Sequence, residues 1–239
     1  MHSSVGDGTI RKYTSSLKLV ATSFALRVDA KFADTSAIDA LSKVRSLGCF
    51  ELGDYLPNPF IKGAQPEYLD HPLEDSVPVI NTLAVQKFSV QIADCRYIAV
   101  EDYESLANEK HLREHDVLMT VDGGVSIGKV ALFAEKIPAT VDSHVCILRP
   151  SKLSPLALVY LLGSPLGQMQ FRRAESGASG QTTVTEDDVR RFVFPTSVLS
   201  VIDQLALNAE SRRVEIAVER KRLDADEIML WNDIVKALS

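Results

Sequence analysis

Asp116-Val-Leu-Met-Thr-Val-Asp-Gly-Gly-Val-Ser-Ile-Gly-Lys-Val-Ala-Leu-Phe133, followed after a polar break by His144-Val-Cys-Ile-Leu-Arg-Pro150, is the stretch that decides the fold. Residues 117–120, 129–133 and 145–148 are short apolar runs rich in β-branched side chains and parted by glycines and polar residues. That pattern predicts buried strands joined by turns. Gly123, Gly128 and Lys129 stand at the spacing of a phosphate-cradling loop. Such a loop, however, carries a Ser or Thr where this chain has Val130, and it opens a helix where Val-Ala-Leu-Phe continues as a strand. The glycines therefore predict a turn between two strands.

Downstream, Ser154-Pro155 and Ser164-Pro165 each place a capping hydroxyl before a proline at the first helical position, so two helices start there. Residues 176–183, Ser-Gly-Ala-Ser-Gly-Gln-Thr-Thr, form a polar loop punctuated by glycine. Thr185-Glu186-Asp187-Asp188 then predicts a capped helical turn ahead of Val193-Phe194-Pro195. Residues 198–238 contain neither Gly nor Pro and predict one helix of roughly 60 Å. Along it Ile202, Ala209, Ile216, Leu223, Leu230 and Ala237 recur every seven residues, while the positions three further on begin with Leu205 and then turn polar. A helix with one clean seam and an offset stripe of Leu207, Val214, Ile228 and Val235 needs a neighbour to be stable.

Upstream, Ser36 with Asp39 predicts a cap, and Ile38, Leu41, Val44 and Leu47 a helix ending near Gly48. Residues 50–55 predict a short strand entering a loop rich in Pro and Gly at 57–66. Residues 77–82, 88–92 and 95–100 predict strands, and residues 101–108 a short helix. Residues 1–20 lack periodicity and are expected to be a mobile arm.

Two enzymatic signals dissolve on inspection. His111-Leu-Arg-Glu-His115 has the spacing of inverted zinc proteases, but His115 abuts the Asp116 strand, so the helix would end at its own ligand, and a charged, solvated turn is expected instead. Asn58-Pro59-Phe60 lacks the second proline of the Asn-Pro-Pro-aromatic motif of adenine methyltransferases, and no Gly-rich cofactor loop precedes it. The chain is not expected to methylate DNA.

The chain has 239 residues, 46% apolar and 24% charged, enough for one large core or a domain with an appendage. No apolar run approaches the ~20 residues of a membrane helix, and the N-terminus lacks the features of a secretory signal, which points to the cytoplasm. Cys49, Cys95 and Cys146 form no Cys-x-x-Cys pair and are expected to be reduced, with no structural metal. The net charge of −6 weighs against a protein that binds nucleic acid unaided. Its distribution is uneven: residues 71–148 hold 6 basic and 12 acidic side chains, residues 149–197 hold 6 and 4. An anion-binding face should draw on the second segment.

With these residues in view, the chain resembles the specificity subunits of type I restriction-modification systems, in their target recognition domain. The most specific match is Tyr160-Leu161-Leu162 followed by Ser164-x-x-Gly167-x-x-Gln170. The Asp116 strand, Ile127-Gly128-Lys129-Val130-Ala131 and Leu148-Arg149-Pro150 add to it, as do the Gly63-x-x-Pro66 turn, the 77–82 strand ending in Asn81-Thr82, and the segment from Arg27 to Phe32. The resemblance implies an α+β fold: a β-rich recognition domain with flanking helices at 21–197, then one long coiled-coil-forming helix at 198–239. It implies a non-catalytic DNA-binding module, with Lys62, Gln65, Asn81, Thr82, Arg172, Arg173, Ser179, Gln181 and Thr182 toward double-stranded DNA. Arginine suits phosphates and guanine edges, and glutamine an adenine edge. The chain itself would hold no cofactor; S-adenosylmethionine would belong to a partner adenine methyltransferase, with a restriction-translocase subunit as a further partner. Whole specificity subunits carry two such domains and two long antiparallel helices, so this chain looks like half of one. Two copies joined through Ile202, Leu205, Ala209, Ile216, Leu223 and Leu230 would restore the arrangement and select a bipartite, palindromic site. An interaction or regulatory module of the same fold that does not read DNA is the alternative, supported by the acidic balance.

Overall fold

The apolar runs of the central stretch become neighbouring strands in the computed structural model, which describes Asp29, residues 31–176 and residues 182–238. In chain order the strands are β1 (Cys49–Glu51), β2 (Ile61–Lys62), β3 (Val77–Ile80), β4 (Val85–Gln86), β5 (Ser89–Val90), β6 (Arg96–Ile98), β7 (Val117–Thr120), β8 (Val130–Leu132), β9 (Thr140–Val141), β10 (Val145–Leu148) and β11 (Val193–Pro195). The helices are α1 (Thr35–Ser46), α2 (Val100–Ser105), α3 (Pro155–Gly163), α4 (Pro165–Ala174), α5 (Glu186–Arg190) and α6 (Ile202–Leu238). The fold is α+β, and two compact units divide after Thr196.

The first unit holds an antiparallel sheet ordered β2-β10-β7-β8 and a second sheet ordered β6-β3-β9, in which β3 pairs antiparallel with β6 and parallel with β9. Every residue of β3, β7 and β10 is buried, which is why their sequences run apolar without alternation. Ile80, Val85, Leu118, Phe133, Val141, Val145 and Ile147 make the main core. Helices α3 and α4 start as their sequences dictate: Ser154 Oγ accepts from Ala157 N–H at 3.1 Å, and Ser164 Oγ from Gly167 N–H at 3.1 Å. At α5 Thr185 and Asp188 form a reciprocal capping box.

Several expected boundaries shift, each for a local reason. Asp34 rather than Ser36 caps α1: its carboxylate accepts from the Ser36 N–H at 3.0 Å and hydroxyl at 2.7 Å, so a stronger acceptor displaces the serine. Only Ser89–Val90 of the predicted 88–92 strand pairs, because Phe88 takes a left-handed φ of 70°. The strand predicted at 50–55 stops at Glu51 and passes into a 3-10 turn, and the long helix begins at Ile202 after another. His111 and His115 do not share a helix: His111 stacks on Tyr103 at 4.1 Å, and His115 has φ 74°. The cysteines are free; burial pushes the Cys146 thiol up to about 12.

In the second unit, α6 carries spaced ion pairs Arg213–Glu210, Arg212–Glu215 and Arg222–Glu219. Beyond Glu210 every described side chain except Arg213 is exposed, Ile216, Leu223 and Leu230 among them. Among the described residues no helix is long and apolar enough to cross a membrane.

Candidate nucleic-acid interface

The site is built where β3, β7 and β9 end and β10 begins. Leaving β3, Asn81 turns the chain: its Oδ1 accepts from the N–H groups of Leu83 (2.8 Å) and Ala84 (2.9 Å), and its Nδ2 donates to Asp94 O at 3.3 Å. Asn81 is 8% exposed, so it shapes the turn that presents Thr82 instead of facing outward. The sequence reading directs Asn81 toward DNA; here its side chain serves the turn. Lys129 Nζ donates to the Thr82 carbonyl at 3.0 Å, tying this turn to the one after β7.

After β7 the chain makes the glycine turn. Gly123 and Gly124 have φ values of 93° and 62°, conformations that side chains other than Gly rarely adopt, and they lift Val125 fully into solvent. Thr120, wholly buried beneath, donates its hydroxyl to the Ser126 carbonyl and accepts from the Lys129 N–H at 3.1 Å. Between β9 and β10, Asp142 accepts from the His144 N–H at 2.9 Å. Burial pushes Asp142 above the ordinary carboxylate range, and that backbone hydrogen bond and His144 oppose the shift. His144 Nδ1 pairs with Asp122, which fastens the β9–β10 turn to the glycine turn.

Two further segments join. The 63–66 turn lies along this edge: Gly63 N–H donates to Val145 O at 3.3 Å, and Ser143 Oγ donates to Gln65 Oε1 at 2.8 Å. Ser176 and Thr183 exchange N–H···O bonds of 3.0 and 2.8 Å, and Val184 N–H donates to Val121 O at 2.9 Å. These bonds root both stems of the 177–181 segment beside Asp122, although Ser179 and Gln181 lie outside the described residues. Thr182 Oγ1 donates to Glu175 at 2.6 Å, and Glu175 pairs with Lys31 at 2.8 Å.

Gln65, Thr82 and the stem that carries Thr182, distant in sequence, are thus each fastened to the turns that follow β7 and β9. Arg172 is exposed on α4, but Arg173 is held inward: its Nε donates to Phe32 O at 3.0 Å and its guanidinium lies 4.2 Å from the Phe32 ring centroid. Lys62 sits further along β2, opposite Cys146, in a separate cleft. The Asp122–His144 pair, Ser143 and the Val125 tip escaped sequence reading. They share no motif and meet only through strand register.

The arrangement offers hydroxyls, amides and an exposed turn on a rigid strand-end platform, with its acids Asp122 and Glu175 each paired to a basic partner. Chemically it suits hydrogen bonding to base edges better than broad neutralisation of phosphates.

No family model matches the sequence, and no curated protein does. Solved structures are similar to it. A structure from work on complex assembly and conformational transition of the type I R-M system shares 16% identity at a TM-score of 0.42, covering 79% of this chain and 51% of that one. The type I restriction-modification system S subunit from M. genitalium shares 13% at 0.45, covering 68% and 38%. The HsdS subunit from Thermoanaerobacter tengcongensis shares 13% at 0.47, covering 77% and 45%. This chain spans about half the length of these structures or less, and the likeness lies with structures of type I R-M systems, two of them S subunits.

Proposed function

We propose that this chain is a sequence-specific DNA recognition module of a type I-like restriction-modification system, with no catalytic role of its own. It would direct a partner adenine methyltransferase, which binds S-adenosylmethionine, and a restriction-translocase subunit to double-stranded DNA. The observation that carries this reading is the convergence of Gln65, Thr82 and both stems of the 177–181 segment on one strand-end face. The sequence resemblance, centred on Tyr160 to Gln170, supports it independently.

In this reading Gln65, Thr82, Ser179, Gln181 and Thr182 address base edges, and Arg172 addresses phosphate. Because Asp122 and Glu175 are paired and free cations on this face are few among the described residues, the isolated chain binds DNA weakly and the partner supplies much of the phosphate contact. Two copies joined through α6 would present identical faces and select an inverted repeat with an unread spacer. In this reading the protein works on cellular DNA in the cytoplasm.

The test is selection from randomised duplexes with the chain and its methyltransferase partner together. Enrichment of two symmetric half-sites is expected; absence of any enrichment from a stable complex removes the proposal. A second reading, a regulatory module that binds the methyltransferase without reading DNA, is favoured by the net charge of −6. A tight protein complex with no DNA affinity would establish it.

A further inference from the structure

Away from the strand-end face, a cleft of about 580 Å³ opens beside β2 and the end of β10. From Val145, at the face, to Arg149, in the cleft, the chain runs about 13 Å along β10. Phe60, Lys62, Glu109, Lys110, Arg113 and Arg149 line the cleft, drawn from three separate segments of sequence. We propose that this cleft is a binding site for a nucleotide, its phosphate on the lysines and Arg113 and its base on the Phe60 ring.

Both walls are fixed before any ligand arrives. Arg190 donates Nη1 to Leu56 O and, at 2.6 Å, Nη2 to Asn58 O, while its Nε holds Glu186 at 2.7 Å. Glu186 in turn accepts the Phe60 N–H at 3.0 Å, so the loop that carries the ring is clamped onto α5. On the other wall the Lys110 carbonyl accepts from Thr140 Oγ1 at 2.9 Å. Arg149 is locked onto buried Asp116 and forms a rigid side of the cleft.

The charges are what select the ligand. Arg149 is neutralised by Asp116, but among the described residues the side chains of Lys62, Lys110 and Arg113 have no hydrogen-bond or ion-pair partner. Three cations without ion pairs around one concavity, against the single carboxylate of Glu109, favour a multiply charged anion such as a phosphate monoester. The Arg190 guanidinium lies over the half-buried Phe60 ring, 5.4 Å from its centroid, and the ring surface that lines the cleft offers stacking to a planar base. Glu109, the one acid in the cleft, supplies an acceptor for sugar hydroxyls. A bare phosphate would use only the cations, and the ring and the carboxylate extend the match to a nucleoside phosphate.

Calorimetric titration of the full chain with adenosine 5′-monophosphate, inorganic phosphate and adenosine tests this. The nucleotide is expected to bind at least about tenfold more tightly than either fragment. The double variant Lys62→Gln/Arg113→Gln, whose changes fall on exposed side chains, should lose about tenfold or more, and Phe60→Leu should reduce the nucleotide's affinity toward that of phosphate. Nucleotide binding no tighter than that of inorganic phosphate, or undiminished in the folded double variant, overturns the proposal. Competition with a duplex identifies the source: displacement assigns the cleft to a nucleotide of a DNA strand, and retention assigns it to a free nucleotide. Neither result bears on the strand-end face, whose test is site selection.

Discussion

Arg149 holds Asp116 in a two-pronged grip, Nε to Oδ1 at 2.7 Å and Nη2 to Oδ2 at 2.8 Å, which fastens the end of β10 to the start of β7. Asp116 is 4% exposed, and its Oδ2 also accepts the Arg113 N–H at 2.9 Å. Removing the arginine strands a buried carboxylate. Arg149→Ala should therefore cost about 3–5 kcal/mol, measured by urea unfolding. Arg149→Lys keeps a charge but loses the fork and should cost less. A loss under about 1 kcal/mol for the alanine variant would show that the pair is not what ties these strands together.

Gly63 passes so close to the Val141 and Asp142 carbonyls that a Cβ there would overlap both. Gly63→Ala should cost about 1–3 kcal/mol or more by forcing the backbones apart. The same shift pulls Gln65 from Ser143, so lowered thermal stability should accompany altered sequence preference. A variant as stable as the parent would mean that the 63–66 turn does not pack as described.

Asp142 gives a pH signature with a definite sign. Burial is the main cause of its raised pKa, so the folded chain holds this proton where the unfolded chain has released it. The stability it contributes is full below the unfolded carboxylate's range and is lost as pH rises through the raised value. Asp142→Asn keeps an oxygen to accept the His144 N–H, at 2.9 Å in the parent, and carries no charge. The variant should be more stable than the parent at neutral pH, with the difference shrinking in acid. Lower stability of the asparagine variant at pH 7 would count against this account.

The parts of the fold written in local chemistry were legible. The Ser-Pro starts of α3 and α4 and the Thr185 box rest on contacts within a few residues, and the unbroken apolar runs of β7 and β10 carry in themselves the mark of strands buried on both faces. What the sequence hid was set by competition or by distance. Asp34 outcompeted Ser36 as a cap, Asn81 spent its amide on its own turn, and Arg173 found the Phe32 ring 141 residues away. The two sheets' strand orders, with β3 beside both β6 and β9, brought Gln65 to Ser143 and Asp122 to His144, and no spacing in the chain announces such pairs.

The last prediction concerns α6. Ile202 is 7% exposed and Ala209 half-buried, whereas Ile216, Leu223 and Leu230 are 42%, 54% and 65% exposed. From Ile216 onward the seven-residue seam is therefore open, and a helix of 37 residues with an open apolar seam draws little stability from its own propensity. A second copy of the same helix would cover such a seam symmetrically, each Leu223 meeting the apolar stripe of the other chain. The chain should sediment as a dimer at micromolar concentration. Ile216→Asp combined with Leu223→Asp should yield a monomer with reduced helical circular dichroism, leaving the first unit's unfolding transition in place. A parent chain that stays monomeric at tens of micromolar, or a double variant that remains dimeric, would remove pairing through α6.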